Sequence, residues 1–171
     1  MVINLKNTKT IAFVGISATL ALLLSYVEFL LPPLFVSVPG IKIGLPNVVI
    51  IFALYCLGFR YAAIISFVRL IMTSLLFGNI LTLAYSFAGA VLSLTVMAIL
   101  KKTDLLSCVG VSVAGGVSHN IGQVLVAIFL LKTPQIAYYM LVLLVTGIIS
   151  GAFVGLCGAF LIKRIPIDKL K

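Results

Sequence analysis

Six stretches of this chain are so apolar, and so nearly free of charge, that water is a poor solvent for all of them. They run from Thr10 to Leu31, Ile43 to Gly58, Tyr61 to Phe77, Leu81 to Leu100, Leu105 to Leu131 and Ile136 to Ile162, parted by charges, prolines and glycines. A helix that crosses a bilayer needs about 20 predominantly apolar residues, within a range of about 17–25. The second stretch is short by that measure and predicts a span that is thin, little tilted, or lengthened by the loop before it. Of the 171 residues 63% are hydrophobic and 9% charged, and the mean hydropathy is +1.36. A soluble domain of this size has too little interior to hide so much apolar surface, whereas lipid solvates it. Continuous runs without alternation argue against a strand barrel. The expected fold is a single all-α integral membrane domain over residues 1–171, with about six transmembrane helices.

The formal charge of +9 does not indicate a nucleic-acid partner, because the basic residues do not gather on a polar face with aromatics. They fall at the ends of the apolar runs, as residues that orient a membrane protein do. Alternating the runs from a cytoplasmic N-terminus puts Lys6, Lys9, Arg60, Lys101, Lys102, Lys163, Arg164, Lys169 and Lys171 inside. Lys42 and Lys132 fall outside, and Arg69 lies within the membrane. The reverse orientation would place those nine basic residues outside, so both termini are expected in the cytoplasm of a multi-pass plasma-membrane protein. The first run follows Lys6 and Lys9 as a signal peptide would. It is long, lacks a small-x-small cleavage site and ends in Glu28 and Pro32-Pro33, so a retained signal-anchor helix is expected.

Cys56, Cys108 and Cys157 lie toward the cytoplasmic ends of their runs, without CxxC or metal-ligand spacing. They read as small apolar residues in a reducing compartment. The connection from Pro32 to Gly44 is too apolar for a solvated loop and too rich in proline for a regular helix. Irregular backbone at membrane depth is tolerated only against protein or a water-filled cavity. This connection therefore reads either as a snug interfacial connector or as a lid over a pocket.

Against this apolar background, Arg69 and the run Ser118-His119-Asn120, closed by Gln123, stand out. A guanidinium near mid-membrane costs at least a few kcal/mol, so it faces a partner or a wet cavity. Arg69 lies eight residues after Tyr61, about 12 Å along a helix axis, too deep to reach either surface easily. Its partner is expected to be a bound anion, backbone carbonyls or Glu28, and Glu28 has Lys42 as an alternative partner. On the fifth helix, steps of about 100 degrees put Ser112, Gly116, His119, Asn120 and Gln123 on one face. Gly110, Ala114, Ser118 and Gly122 form a second stripe, suited to close helix contact. The polar face either lines a pocket opposite Arg69 or makes hydrogen bonds between helices. Asn47 and Asn79, at the starts of the second and fourth helices, either cap them or line a mouth. Gly147, Gly151, Gly155 and Ala159 make a ladder of small residues on the sixth helix. Ser17, Ala21 and Ser25 repeat that pattern more weakly on the first, toward another subunit or a neighbouring helix.

Some chemistries find no support in these residues. No GxxxxGK[ST] loop is present for ATP hydrolysis. The acidic residues are Glu28, Asp104 and Asp168, with no two close in sequence, so a carboxylate-held magnesium–diphosphate site is not expected. A single histidine excludes a multi-histidine metal site. No metal, cofactor or catalytic residue is therefore expected in this chain.

Several motifs carry a resemblance. Pro39-Gly-Ile-Lys-Ile-Gly-Leu-Pro-Asn47, Arg69 with Gly78, and Ser86-Phe-Ala-Gly-Ala-Val-Leu-Ser93 through Met97 are among them. Gly110-Val-Ser-Val-Ala-Gly-Gly-Val-Ser-His-Asn-Ile-Gly-Gln123 and Gly147-Ile-Ile-Ser-Gly151 complete the set. Together they resemble the small bacterial membrane family called heptaprenyl diphosphate synthase component I, or the Gx transporter family. That family is similar in turn to the substrate-binding S components of energy-coupling factor (ECF) transporters. The resemblance implies a six-helix, S-component-like bundle that captures a micronutrient near the outer face. A transmembrane coupling subunit and two cytoplasmic ATPases would drive release inward. The alanine-x-x-x-alanine contact motif of the first S-component helix appears here only as Ser17, Ala21 and Ser25.

The expected function is thus the substrate-binding subunit of an importer. Arg69, His119, Asn120 and Gln123 would line its pocket, with Lys42, Asn47 and Glu28 near the mouth. Its ligand would be small, and anionic or amide-bearing. The alternatives are a non-catalytic membrane accessory subunit in heptaprenyl or polyprenyl diphosphate synthesis, and a structural or assembly protein.

Overall fold

The computed structural model describes residues 8–31, 43–132, 138 and 140–165, and these form six helices. In chain order they are α1 (Thr8–Leu30), α2 (Leu45–Cys56), α3 (Phe59–Phe77), α4 (Ile80–Thr103), α5 (Cys108–Leu131) and α6 (Met140–Arg164). The helices follow the six apolar runs closely, because leaving backbone groups unpaired in lipid is too costly for any other local structure. Five are long and apolar enough to cross a membrane. The sixth, α2, is a different object.

With 12 residues, α2 extends only about 18 Å, well short of a hydrocarbon core of about 30 Å. Every residue from Val49 to Leu54 is at most 5% exposed. A helix that is apolar all round is at home inside a protein. The second run thus forms a short helix packed inside the bundle, and most of the loop expected to lengthen it lies outside the described residues. Pro46 stands in the first turn, where its missing N–H would be unsatisfied anyway. Gly44 precedes the helix with φ of 82°, a left-handed conformation that a side chain would strain.

The helices close into a ring. α1 packs on α3, α3 on α4, α4 on α5, α5 on α6, α6 on α2 and α2 back on α1, with a further contact between α2 and α3. The α5–α6 and α4–α5 seams are the tightest, and glycine makes them so. A Cβ on Gly116 would stand 2.5 Å from the carbonyl oxygen of Gly147, and one on Gly151 would stand 2.7 Å from Cα of Val113. A Cβ on Gly122 would stand 2.9 Å from Ala88 and Gly89 of α4. Lipid provides no hydrophobic drive between helices, so close backbone approach supplies the cohesion. The outer surface is correspondingly apolar, with Leu75, Phe129, Leu141 and Ile149 well exposed.

Contacts between helices also sort the two ends of the bundle. Phe13 of α1 meets Phe52 of α2, and Nζ of Lys101 donates to the carbonyl oxygen of Leu54 at 2.7 Å. At the opposite end Phe29 stacks on Phe77, and Glu28 accepts from the backbone N–H of Gly44. Among the described residues, Lys9, Arg60, Lys101, Lys102, Lys163 and Arg164 share the first end, while Lys132 lies at the other.

Candidate binding site

Where α2, α4, α5 and α6 meet lies a partly open cavity of about 30 Å³. By the usual requirement of about 10–15 Å³ per water, it has room for about two waters. Its polar wall comes from Asn47 of α2, Ser93 of α4, Ser112 of α5 and Ser150 of α6. Gly115, Gly116 and Gly151 bring backbone to the same space, and Gly44 borders it at the start of α2. No ionised group stands in this wall. The cavity therefore offers neutral donors and acceptors in a place where lipid offers none.

Asn47 reaches the cavity because α2 begins earlier than a capping role for it would require. The helix starts at Leu45, and the backbone N–H of Asn47 already donates to the carbonyl of Gly44 at 2.9 Å. Its side chain is thus directed by the first helical turn and does not cap it. Asn79 does cap: its Oδ1 accepts from the backbone N–H of Thr82 at 2.8 Å.

The polar residues of α5 are divided between two neighbours. Asn120 faces α6, where its Nδ2 donates to the carbonyl oxygen of Leu143 at 2.6 Å. His119 and Gln123 face α4, since Cε1 of the one and Cγ of the other both lie 3.0 Å from where a Cβ of Gly89 would be. Ser118 donates within its own helix, to the carbonyls of Ala114 and Gly115. The cavity wall includes none of His119, Asn120, Gln123 and Arg69. The ring order gives the reason: α4 stands between α3 and α5, and α5 is clamped between α4 and α6.

Arg69 is buried on α3 at 9% exposure, and its Nε has no hydrogen-bond partner among the described residues. The field of Glu28 on α1 acts on it. Glu28 is itself engaged with the N–H of Gly44, which borders the cavity. Lys42 and most of the Pro32–Gly44 connection lie outside the described residues. Ser17, Ala21 and Ser25 are buried within the bundle, so this stripe meets neighbouring helices of the same chain. Gly151 and Gly155 of α6 lie against Val113, Val109 and Ser112 of α5. Among the described residues, no three His, Cys, Asp or Glu side chains gather as a metal site would require.

A family model described as heptaprenyl diphosphate synthase component I matches residues 16–161. The chain belongs to that family. No curated protein and no solved structure matches it. In this component I protein, the matched stretch runs from α1 into α6 and takes in all four helices that wall the cavity.

In the sequence Ser93 and Ser150 stand only inside motifs that carry the family resemblance, with nothing to mark them as cavity residues. A lone serine in an apolar helix normally bonds to its own backbone and carries no signal. The available signal lay on the facing helices. Ser93 Oγ stands 3.3 Å from where a Cβ of Gly115 would be, so a serine opposite a glycine marks a place where two helices nearly touch.

Proposed function

We propose that this protein is the membrane-embedded substrate-binding subunit of a small-molecule uptake transporter, similar to an ECF S component and energised by partner ATPases. The observation that carries this reading is the cavity between α2, α4, α5 and α6, where Asn47, Ser93, Ser112 and Ser150 bring neutral polar groups in among apolar neighbours such as Met97 and Val154. Polar groups inside a membrane are expensive, and those that face an interior void mark pathways and binding places. At about 30 Å³ the cavity has room for water-sized contents, so a larger guest requires its walls to separate. The short helix α2 forms one wall of the cavity and is held at one end by Lys101 and at the other by Glu28 through Gly44.

The gathering of basic residues at one end supports placing that end, with both termini, in the cytoplasm. The Glu28–Gly44 end then faces outward, where a substrate arrives. ATP-hydrolysing partners would work from the basic end. Capture of the tagged chain from native membranes is expected to bring with it an integral coupling subunit and ATPase subunits. Recovery of the chain with no ATPase, under detergents that preserve known transporter complexes, would contradict the transporter reading.

The family description favours a second reading, that of a non-catalytic membrane accessory to prenyl diphosphate synthesis. On that reading the same capture brings down prenyl synthase activity in place of ATPase.

A further inference from the structure

Among the described residues, Nε of Arg69 and Oγ1 of Thr73 on α3 are buried without a hydrogen-bond partner. The residues stand one helical turn apart, where side chains at i and i+4 share a face with Cβ atoms about 5–6 Å from each other. A single acceptor oxygen reaching that face would accept from both the Nε–H and the threonine O–H. Buried polar groups in native proteins are nearly always satisfied, and an exception points to an absent water, ion or ligand.

Charge decides which kind of oxygen fits. The field of Glu28 acts on the guanidinium, while the Oε1 of Glu28 is engaged by Gly44 and leaves Nε idle. The two opposite charges cancel. A second carboxylate placed beside Arg69 would leave one negative charge in excess in a poorly solvated interior, which is strongly unfavourable. A carbonyl oxygen adds no charge and still accepts both bonds. We infer that Arg69 and Thr73 form a recognition point for an uncharged oxygen acceptor, of the amide, lactam or ketone class, on the molecule this subunit binds. The inference rests on the carrier reading above and narrows its ligand. Glu28 acts on Arg69 through its charge and holds Gly44, which borders the serine-lined cavity.

Benzamide and benzoate have one shape and differ in charge, so they test the inference as probes of thermal unfolding of the full chain in detergent. Benzamide is expected to raise the unfolding midpoint saturably, with a half-saturation about tenfold below that of benzoate. Glu28→Gln keeps an oxygen for Gly44 but removes the balancing charge, and is expected to reverse the preference. Thr73→Val, nearly isosteric, is expected to weaken benzamide about tenfold, which also separates bound amide from bound water. A wild-type preference for benzoate, no response to either probe, or a Thr73→Val titration equal to wild type overturns the inference. Mass spectrometry of small molecules retained by the same preparation reads the carrier function separately. A retained molecule beside a failed benzamide response leaves the carrier reading standing, whereas a chain that retains nothing and captures no ATPase removes it.

Discussion

At the scale of single residues, burial and direction matter more than polarity. His119, Asn120 and Gln123 share a helical face on paper, yet Asn120 turns to α6 while His119 and Gln123 turn to α4. Helical periodicity gives the angle between side chains but not which neighbours flank the helix, and α5 has one on each side. Asn120 thus makes a bond between helices of the kind worth about 0.6 kcal/mol on average. Asn120→Ala is expected to lower resistance to unfolding by about that amount while leaving ligand binding intact. Unfolding titrations in mixed micelles, with binding measured in parallel, check both halves. Loss of binding with unchanged stability would return Asn120 to the pocket. Arg69 was legible as a costly charge in need of a partner, and Glu28 was named among the candidates. That Glu28 would balance the charge without occupying Nε was not, since no sequence pattern shows which lone pairs are already engaged.

At the scale of elements, the apolar runs mark every helix, and their small residues mark the seams. The glycines of α6 at spacing four lie so closely against α5 that backbone forms much of the contact, as at Gly151 against Val113. Backbone cannot give way as a flexible side chain can. Gly151→Ala, whose Cβ would meet Cα of Val113 at 2.7 Å, is therefore expected to destabilise the bundle by about 1–3 kcal/mol, the usual range for overpacking. Gly15→Ala on α1, with open space around it, is expected to be neutral or mildly stabilising, by about 0.5–1 kcal/mol. Equal effects of the two substitutions on the unfolding midpoint would contradict the glycine account of the seam. The element least legible was α2. Its sequence reads as a short span, because a helix apolar all round suits lipid and protein interior equally, and only its length distinguishes them.

At the scale of the whole molecule, the order α1, α3, α4, α5, α6, α2 around the ring explains what forms a site and what does not. It brings Asn47, Ser93, Ser112 and Ser150 to one void and keeps Arg69 on another wall, beside α1 and Glu28. Sequence periodicity contains no information on this order, so the membrane class was readable and the cavity was not. The separation of basic residues to one end was readable as well, because it depends only on where each helix begins and stops. The account stands on the claim that the central void holds a small molecule. The chain purified from its native membrane, denatured and analysed by mass spectrometry, addresses this most directly. A stoichiometric small molecule is expected from wild type and its loss from an Asn47→Leu, Ser93→Val double variant that unfolds at an unchanged midpoint. A folded wild-type chain that releases nothing beyond what an unrelated membrane protein releases would contradict the claim.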